Sequence, residues 1–455
     1  MLLENISVAF HTLGCKVNIY ETEVMEGLVQ GAGASVVPFD GPADFYVVNT
    51  CSVTNIADRK SRQMLRRPKA KHPDAVVVAC GCYSEVEDAE KLYAIGVDIV
   101  MQNADKPAIV SVLAEWLAAH EKNGAGTEES ATEKDSAAGN GTEASAAGSG
   151  AEAAFSQKGL RLSSLTEHTR ADVKVQDGCN QFCTYCIIPY ARGRIRSKPL
   201  QDVLTEICGL ASSGVKEVVL TGIHLSSYGK DLQDGAGLLD LIRAVHGIEG
   251  IERIRLGSLE PRIVTEDFAK ALAALPKLCP HFHLSLQSGC AETLRRMNRH
   301  YTPEEYEESC CLLRKYFSLP AITTDVIVGF PGETEEDFAA SKAFIEKIGF
   351  YELHVFKYSR RKGTVADRMP DQLDEQTKNE RSSELIALAK KMSDAYRKQL
   401  IGQQVEALTE KEIAPGVYTG YTKEYVRVCV PASGPDEIVR FELSVKSLES
   451  EEAFE

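Results

Sequence analysis

The chain has 455 residues, 44% of them hydrophobic, enough apolar surface for more than one core, and two or three domains are expected. No stretch approaches the roughly 18 apolar residues that cross a bilayer, and residues 6–10 are too short and too polar-flanked for a secretion signal, so a cytoplasmic protein with no membrane partner is expected. The net charge of −15 argues against indiscriminate nucleic-acid binding, which relies on many phosphate contacts from Lys and Arg. Thirteen cysteines in a reducing compartment point to metal ligation, not disulfides, wherever they cluster.

Residues 6–10, 45–49, 75–80 and 97–100 are short apolar runs that read as strands, with helical periodicity between them. This alternation predicts an α/β unit, a doubly wound parallel sheet over residues 1–118. Residues 121–157 are Ala, Gly, Ser, Thr and Glu with almost nothing large and apolar, so a flexible low-complexity linker is expected over 119–160. Strand and helix alternation resumes over 161–392, with strands at 217–220, 253–256, 281–286 and 324–328, which suggests a full or partial (β/α) barrel. After a charged helix at 379–400, short alternating runs at 417–421 and 425–430 suggest a small β barrel over 393–455.

The sharpest chemical signal is Cys179, Cys183 and Cys186, a C-x-x-x-C-x-x-C spacing on a loop after a predicted strand. Three thiolates this close can grip one face of a four-iron cluster. A structural zinc site would want a fourth ligand, and no Cys or His follows within twenty residues. The spacing therefore favours a cluster with one iron left open, the iron that the amino and carboxylate groups of S-adenosylmethionine (SAM) can chelate.

Cys15, Cys51 and Cys82 each fall just after one of the first three predicted strands, positions that share one edge of a parallel sheet. A second metal centre and three buried apolar cysteines both satisfy that pattern, and the residues alone leave both open. Cys80 is expected to point into the sheet packing, and Cys208, Cys279, Cys290, Cys310, Cys311 and Cys429 have no ligand spacing.

Four segments carry a resemblance to a known family: TLGCKVNIYETE at 12–23, VNTCSV at 48–53, GCY at 81–83 and QDGCNQFCTYCIIPYARGRIRS at 176–197. Together they resemble the radical SAM methylthiotransferases over nearly the whole chain. The Cys-Lys-Val-Asn form of the first motif is most similar to the branch that acts on threonylcarbamoyladenosine in tRNA. The isopentenyladenosine branch usually carries a Gln-Met-Asn form and the ribosomal-protein branch a Pro-Lys-Asn form.

The resemblance implies two [4Fe-4S] clusters, an auxiliary one on Cys15, Cys51 and Cys82 and a SAM-cleaving one on Cys179, Cys183 and Cys186. It also implies that one SAM methylates sulfur at the auxiliary cluster while another yields a 5′-deoxyadenosyl radical. The radical removes hydrogen from adenosine C2 and the methylthio group is transferred there, next to the anticodon. Implied partners are the tRNA anticodon stem-loop, an electron donor of flavodoxin or ferredoxin type, and a sulfur donor. The same chemistry on isopentenyladenosine or on a ribosomal protein, and a non-catalytic iron–sulfur RNA-binding protein, are the alternatives; release of 5′-deoxyadenosine separates the last from the others.

Thr221, Gly222, Ser258, Glu260, Gln287, Gly329 and Gly332 follow successive predicted strands and are expected at the SAM site, with turn and cap roles as the alternative. Two basic clusters are expected to approach tRNA phosphates: Arg59, Lys60, Arg62, Arg66, Arg67, Lys69 and Lys71, and Arg192, Arg194, Arg196 and Lys198. The C-terminal barrel resembles the RNA-binding TRAM module, yet residues 401–455 carry eleven acidic and five basic side chains. RNA contact there is expected only around Tyr421, Lys423, Tyr425 and Arg427.

Overall fold

The computed structural model describes residues 2–124, 169–233 and 235–448. Its N-terminal part runs β1 (Ser7–Thr12), α1 (Lys16–Gly31), β2 (Ser35–Val37), β3 (Phe45–Thr50), α2 (Asn55–Lys71), β4 (Val76–Gly81), α3 (Cys82–Val86), α4 (Ala89–Ala94), β5 (Ile99–Val100) and α5 (Ile109–Gly124). All five strands pair in parallel, in the order β2-β1-β3-β4-β5. The central strands β3 and β4, with sequences FYVVNT and VVVACG, are buried at every residue, the behaviour of parallel strands covered on both faces. The doubly wound sheet expected from the apolar runs is therefore present. Residues 125–168 lie outside the described residues, and with them the expected linker at 119–160 apart from its first positions, whose backbone closes α5.

The chain divides into two compact units, and the division is not a simple cut. Leu13–Tyr20 and Cys51–Ser61, the segments that follow β1 and β3, belong to the second unit together with the described residues from 169 onward.

That second unit continues with β6 (Arg170–Asp177), α6 (Ile188–Arg192), β7 (Arg196–Ser197), α7 (Leu200–Ser212), β8 (Glu217–Gly222), α8 (Leu238–His246), β9 (Arg253–Leu256), α9 (Glu266–Ala273), β10 (His281–His283), α10 (Ala291–Arg296), α11 (Pro303–Tyr316), β11 (Ala321–Val328), α12 (Glu335–Ile348) and β12 (Glu352–Lys357). Helix starts are well signalled: Thr302 with Glu305, and Thr334 with Asp337, close reciprocal capping boxes at α11 and α12. One sheet runs β7-β6-β8-β9, antiparallel only at the β7 edge, and another runs β10-β11-β12. A parallel bridge between Leu259 and Leu284 joins them, with Leu259 N–H donating to His283 O at 2.8 Å and Ser285 N–H to Leu259 O at 3.0 Å. Six parallel strands (β6, β8, β9, β10, β11, β12) thus make an open arc, the partial form of the two barrels that the alternation allowed.

Alternation along these strands sorts side chains by face. Val173, Val218, Leu220, Ile254, Leu256, Phe282, Leu284, Val326 and Leu353 join one apolar core with helix residues such as Ile207, Leu313 and Ile345. The opposite face of the same strands carries Asp172, Lys174, Gln176, Glu217, Thr221, Arg253, Arg255, His281, His283, Asp325 and His354. The concave side of the arc is therefore polar, unlike the aliphatic filling of a closed eight-stranded barrel.

After α13 (Glu375–Leu400), strands β13 (Gln404–Ala414), β14 (Val417–Thr422), β15 (Arg427–Pro431) and β16 (Ile438–Glu442) form an antiparallel half-barrel sheet in the order β15-β14-β13-β16. It is tied to the arc by two buried arginines: Arg253 donates to Tyr421 O at 2.9 Å and Glu406 O at 2.8 Å, and Arg255 donates to Lys423 O at 3.0 Å and sits over the Tyr425 ring. The RNA-facing patch expected at Tyr421, Lys423 and Tyr425 is accordingly corrected. The two tyrosines stack on each other beneath Arg170, and Lys423 pairs with Glu406, so these groups serve the junction. Among the described residues, no helix is long and apolar enough to cross a membrane.

Candidate active site

The loop carrying Cys179, Cys183 and Cys186 leaves the end of β6 and returns to α6. Its first turn demands glycine: Gly178 has φ +68°, and a Cβ there would lie 1.9 Å from the Arg194 carbonyl oxygen. Phe182, inside the loop, also takes positive φ, and the Asn298 amide holds it by donating to Phe182 O at 3.1 Å. The backbone is thus bent so that three sulfurs share one small loop.

Their environment suits a metal cluster. Burial pushes the Cys186 thiol up to about 12 and raises Cys179 as well, with the neighbouring cysteine sulfurs adding to the rise. Three thiolates there therefore need positive charge close by. Arg299 supplies some, with Nη1 3.3 Å from the Cys183 sulfur, and the Gln181 N–H points at the Cys179 sulfur at 3.5 Å. Soft thiolate donors plus N–H contacts to sulfur fit an iron–sulfur cluster, whose irons supply the remaining charge.

The expected SAM residues gather at the same end of the arc. Thr221 and Gly222 end β8, Ser258 and Glu260 follow β9, Gln287 follows β10, and Gly329 and Gly332 follow β11. Glu260 is fixed by its N–H to Ser226 Oγ at 2.8 Å, and Gln176 Oε1 accepts the His224 N–H at 2.7 Å below Gly222. Gly329 packs against α13, where a Cβ would meet Lys378 Cγ at 2.3 Å.

Two of the other three cysteines are brought together in the second unit. Cys15 and Cys51 follow β1 and β3, and at Gly14 an added Cβ would stand 3.0 Å from the Cys51 sulfur, so the two loops touch. Arg361, buried after β12, clamps the Cys51–Ser61 segment by donating to Ser52 O at 3.2 Å and Asp58 Oδ2 at 2.7 Å, and it also meets Asn55. Cys82 belongs to the first unit, buried at the start of α3 directly after β4, the neighbour of β3 in the sheet. Cys80 is buried in the sheet core with its sulfur directed at Val48 O, as alternation required.

The second basic cluster divides. Arg192 is buried, donating to Asn18 Oδ1 at 2.6 Å and pairing with Asp177, while Lys198 is buried against Glu206. These two are corrected from phosphate contacts to structural ones, because their charges are already met inside the protein. Arg194 is exposed, lying over the Phe182 ring. In the first cluster Arg67 and Lys69 pair with Asp40 and Asp98, whereas Arg59, Lys60 and Arg66 are exposed. Arg299, Arg361 and His224 were not singled out from the sequence; isolated cations and a lone His carry no spacing signal.

Two family profiles match: one described as the Radical SAM superfamily over residues 173–345, the other as uncharacterized protein family UPF0004 over residues 7–102. The threonylcarbamoyladenosine tRNA methylthiotransferase MtaB of Bacillus subtilis (strain 168) is 38% identical over 98% of this chain and 94% of its own. A tRNA-2-methylthio-N(6)-dimethylallyladenosine synthase of Caldicellulosiruptor saccharolyticus is 35% identical over 88% of this chain and 81% of its own. Among solved structures, a radical S-adenosylmethionine methyltransferase, TsrM, of Kitasatospora setae with cobalamin and a [4Fe-4S] cluster bound superposes with a TM-score of 0.54 over 91% of this chain and 77% of that one. At 15% identity, it speaks for the fold alone. By its similarity to the curated relatives over nearly its full length, this chain belongs to the radical SAM methylthiotransferase family.

Proposed function

We propose that this protein methylthiolates C2 of N6-threonylcarbamoyladenosine next to the anticodon of tRNA, giving 2-methylthio-N6-threonylcarbamoyladenosine, with SAM and two [4Fe-4S] clusters as cofactors. The observation that carries the reading is the trio Cys179, Cys183 and Cys186 on one bent loop at the C-terminal end of a polar-lined partial barrel. When bound, the clusters supply the electron that cleaves SAM and the sulfur that is methylated and transferred.

The chain's own part is to hold and orient. Cys179, Cys183 and Cys186 hold one cluster with an iron left for SAM, and Cys15, Cys51 and Cys82 hold the other. Thr221, Gly222, Ser258, Glu260 and Gln287 offer backbone and side-chain hydrogen bonds to SAM from neighbouring strand ends, with Gly329 and Gly332 shaping the next turn. Arg194, Arg59 and Lys60 are exposed cations of the second unit suited to the phosphates of an anticodon stem-loop. Electrons come from a flavodoxin- or ferredoxin-type donor and sulfur from a separate donor, in the cytoplasm.

The test is nucleoside mass spectrometry on threonylcarbamoylated tRNA incubated anaerobically with cluster-loaded protein, SAM, sulfide and reductant. A new 2-methylthio nucleoside is expected. Free 5′-deoxyadenosine beside unmodified tRNA would retain the radical chemistry and remove the substrate.

A further inference from the structure

On the concave face of the arc, three groups from adjacent strands converge. His283 on β10, Asp325 on β11 and His354 on β12 place their ligand atoms within 4.8 Å of one another. Register explains it: His283 pairs with Thr323, and Asp325 pairs with His354, so alternation sets all three on one side. His283 Nδ1 is engaged by Thr323 Oγ1 at 3.1 Å. Its Nε2 is buried, lies 3.3 Å from Asp325 Oδ2 and has no hydrogen bond. The His354 ring is exposed and stacks on His283 at 5.9 Å. A buried ring nitrogen and a carboxylate held this close without a hydrogen bond call for a third party that satisfies both.

A divalent cation would meet the donor set, since two imidazoles and a carboxylate are metal ligands. The surroundings oppose it. Burial first, and then cations that include Arg255 and Lys16, hold the neighbouring His281 imidazole well below its ordinary range, so fixed positive charge already stands beside this place. Such a place repels a bare cation and suits an organic group that brings both N–H donors and an anionic end.

We infer that His283, Asp325 and His354 form the subsite that takes the N6 substituent of the substrate nucleoside, a urea-linked threonine ending in a carboxylate. The ureido N–H groups meet Asp325, and the carbonyl, hydroxyl and carboxylate oxygens meet the imidazoles. This rests on the function proposed above and names the part of the site that reads its substrate. An isopentenyl substituent has no heteroatom, so it would leave the buried His283 Nε2 and the Asp325 carboxylate beside it unmet, the situation in which discrimination between substrates is steepest.

The experiment compares cluster-loaded wild type with Asp325→Asn, His283→Gln and His354→Ala on tRNA bearing threonylcarbamoyladenosine and on tRNA bearing isopentenyladenosine, with iron content as the check on folding. His354 is exposed, so its variant retains the fold even if the buried positions do not tolerate change. Expected is a fall of about 10- to 100-fold in kcat/KM on the threonylcarbamoylated tRNA, with the preference over the isopentenyl substrate reduced. Wild-type turnover in the His354 and Asp325 variants would overturn the inference. So would a stoichiometric non-cluster metal in the wild type that these variants lose. A wild type inactive on threonylcarbamoylated tRNA would instead remove the proposed function and the inference with it, a result visible before any variant is made.

Discussion

Arg299 places Nη1 3.3 Å from the Cys183 sulfur while its Nε lies 3.1 Å from the Tyr301 hydroxyl, so a half-buried guanidinium is oriented against one thiol of the cluster loop. A fixed positive charge beside a cluster favours its reduced, more negative state. Arg299→Gln is expected to make the cluster harder to reduce, by roughly 100 mV for the loss of one charge-assisted hydrogen bond. A redox titration followed by electron paramagnetic resonance reads this directly, and an unchanged potential would deny Arg299 that role.

The six proposed ligands make a stoichiometric prediction. Reconstituted wild type is expected to hold about eight irons per chain, and a Cys179→Ala, Cys183→Ala, Cys186→Ala variant about four. Iron and sulfide analysis decides it, and a variant with none would contradict two independent sites.

Two arginines two residues apart should behave oppositely. Arg192→Ala removes the buried partner of Asp177 and Asn18, and a loss of about 3 kcal/mol in denaturant unfolding is expected. Arg194→Ala, at an exposed position, should change stability by no more than about 0.5 kcal/mol while weakening tRNA binding and lowering its salt slope by about one. Equal stability losses would refute the division between them.

Burial, reinforced by Glu23, raises the Glu26 carboxyl to about 7. A carboxyl whose folded pKa is raised contributes stability that is fully present below its unfolded value near 4.5 and is lost as pH rises through 7. Thermal stability of the wild type is therefore expected to decline between about pH 5 and pH 7 more steeply than that of Glu26→Gln. Parallel melting curves across that window would show that Glu26 titrates normally.

Much of the site was legible because its chemistry depends on short spacing. Cys179, Cys183 and Cys186 are close in any conformation, and the apolar runs before Cys51 and Cys82 announced strands whose ends meet one sheet edge. What the residues left open was whether charged groups face outward. Arg192 and Lys198 belong to a basic run like any surface run, and only the approach of Asn18, Asp177 and Glu206 shows that they are enclosed. Tyr421 and Tyr425 likewise stood in the patch expected to contact RNA, and only Arg170 and Arg255 above them show that they serve the junction.

By itself the sequence determined the parallel α/β layering, the cluster loop and the family resemblance, because apolar runs of strand length, glycine-enforced turns and thiolate spacing are local properties of the chain. The tertiary structure decided that the arc has six parallel strands, that its concave face is polar, and that His283, Asp325 and His354 meet. Those outcomes depend on register between strands separated by tens of residues, and register follows from how whole faces pack.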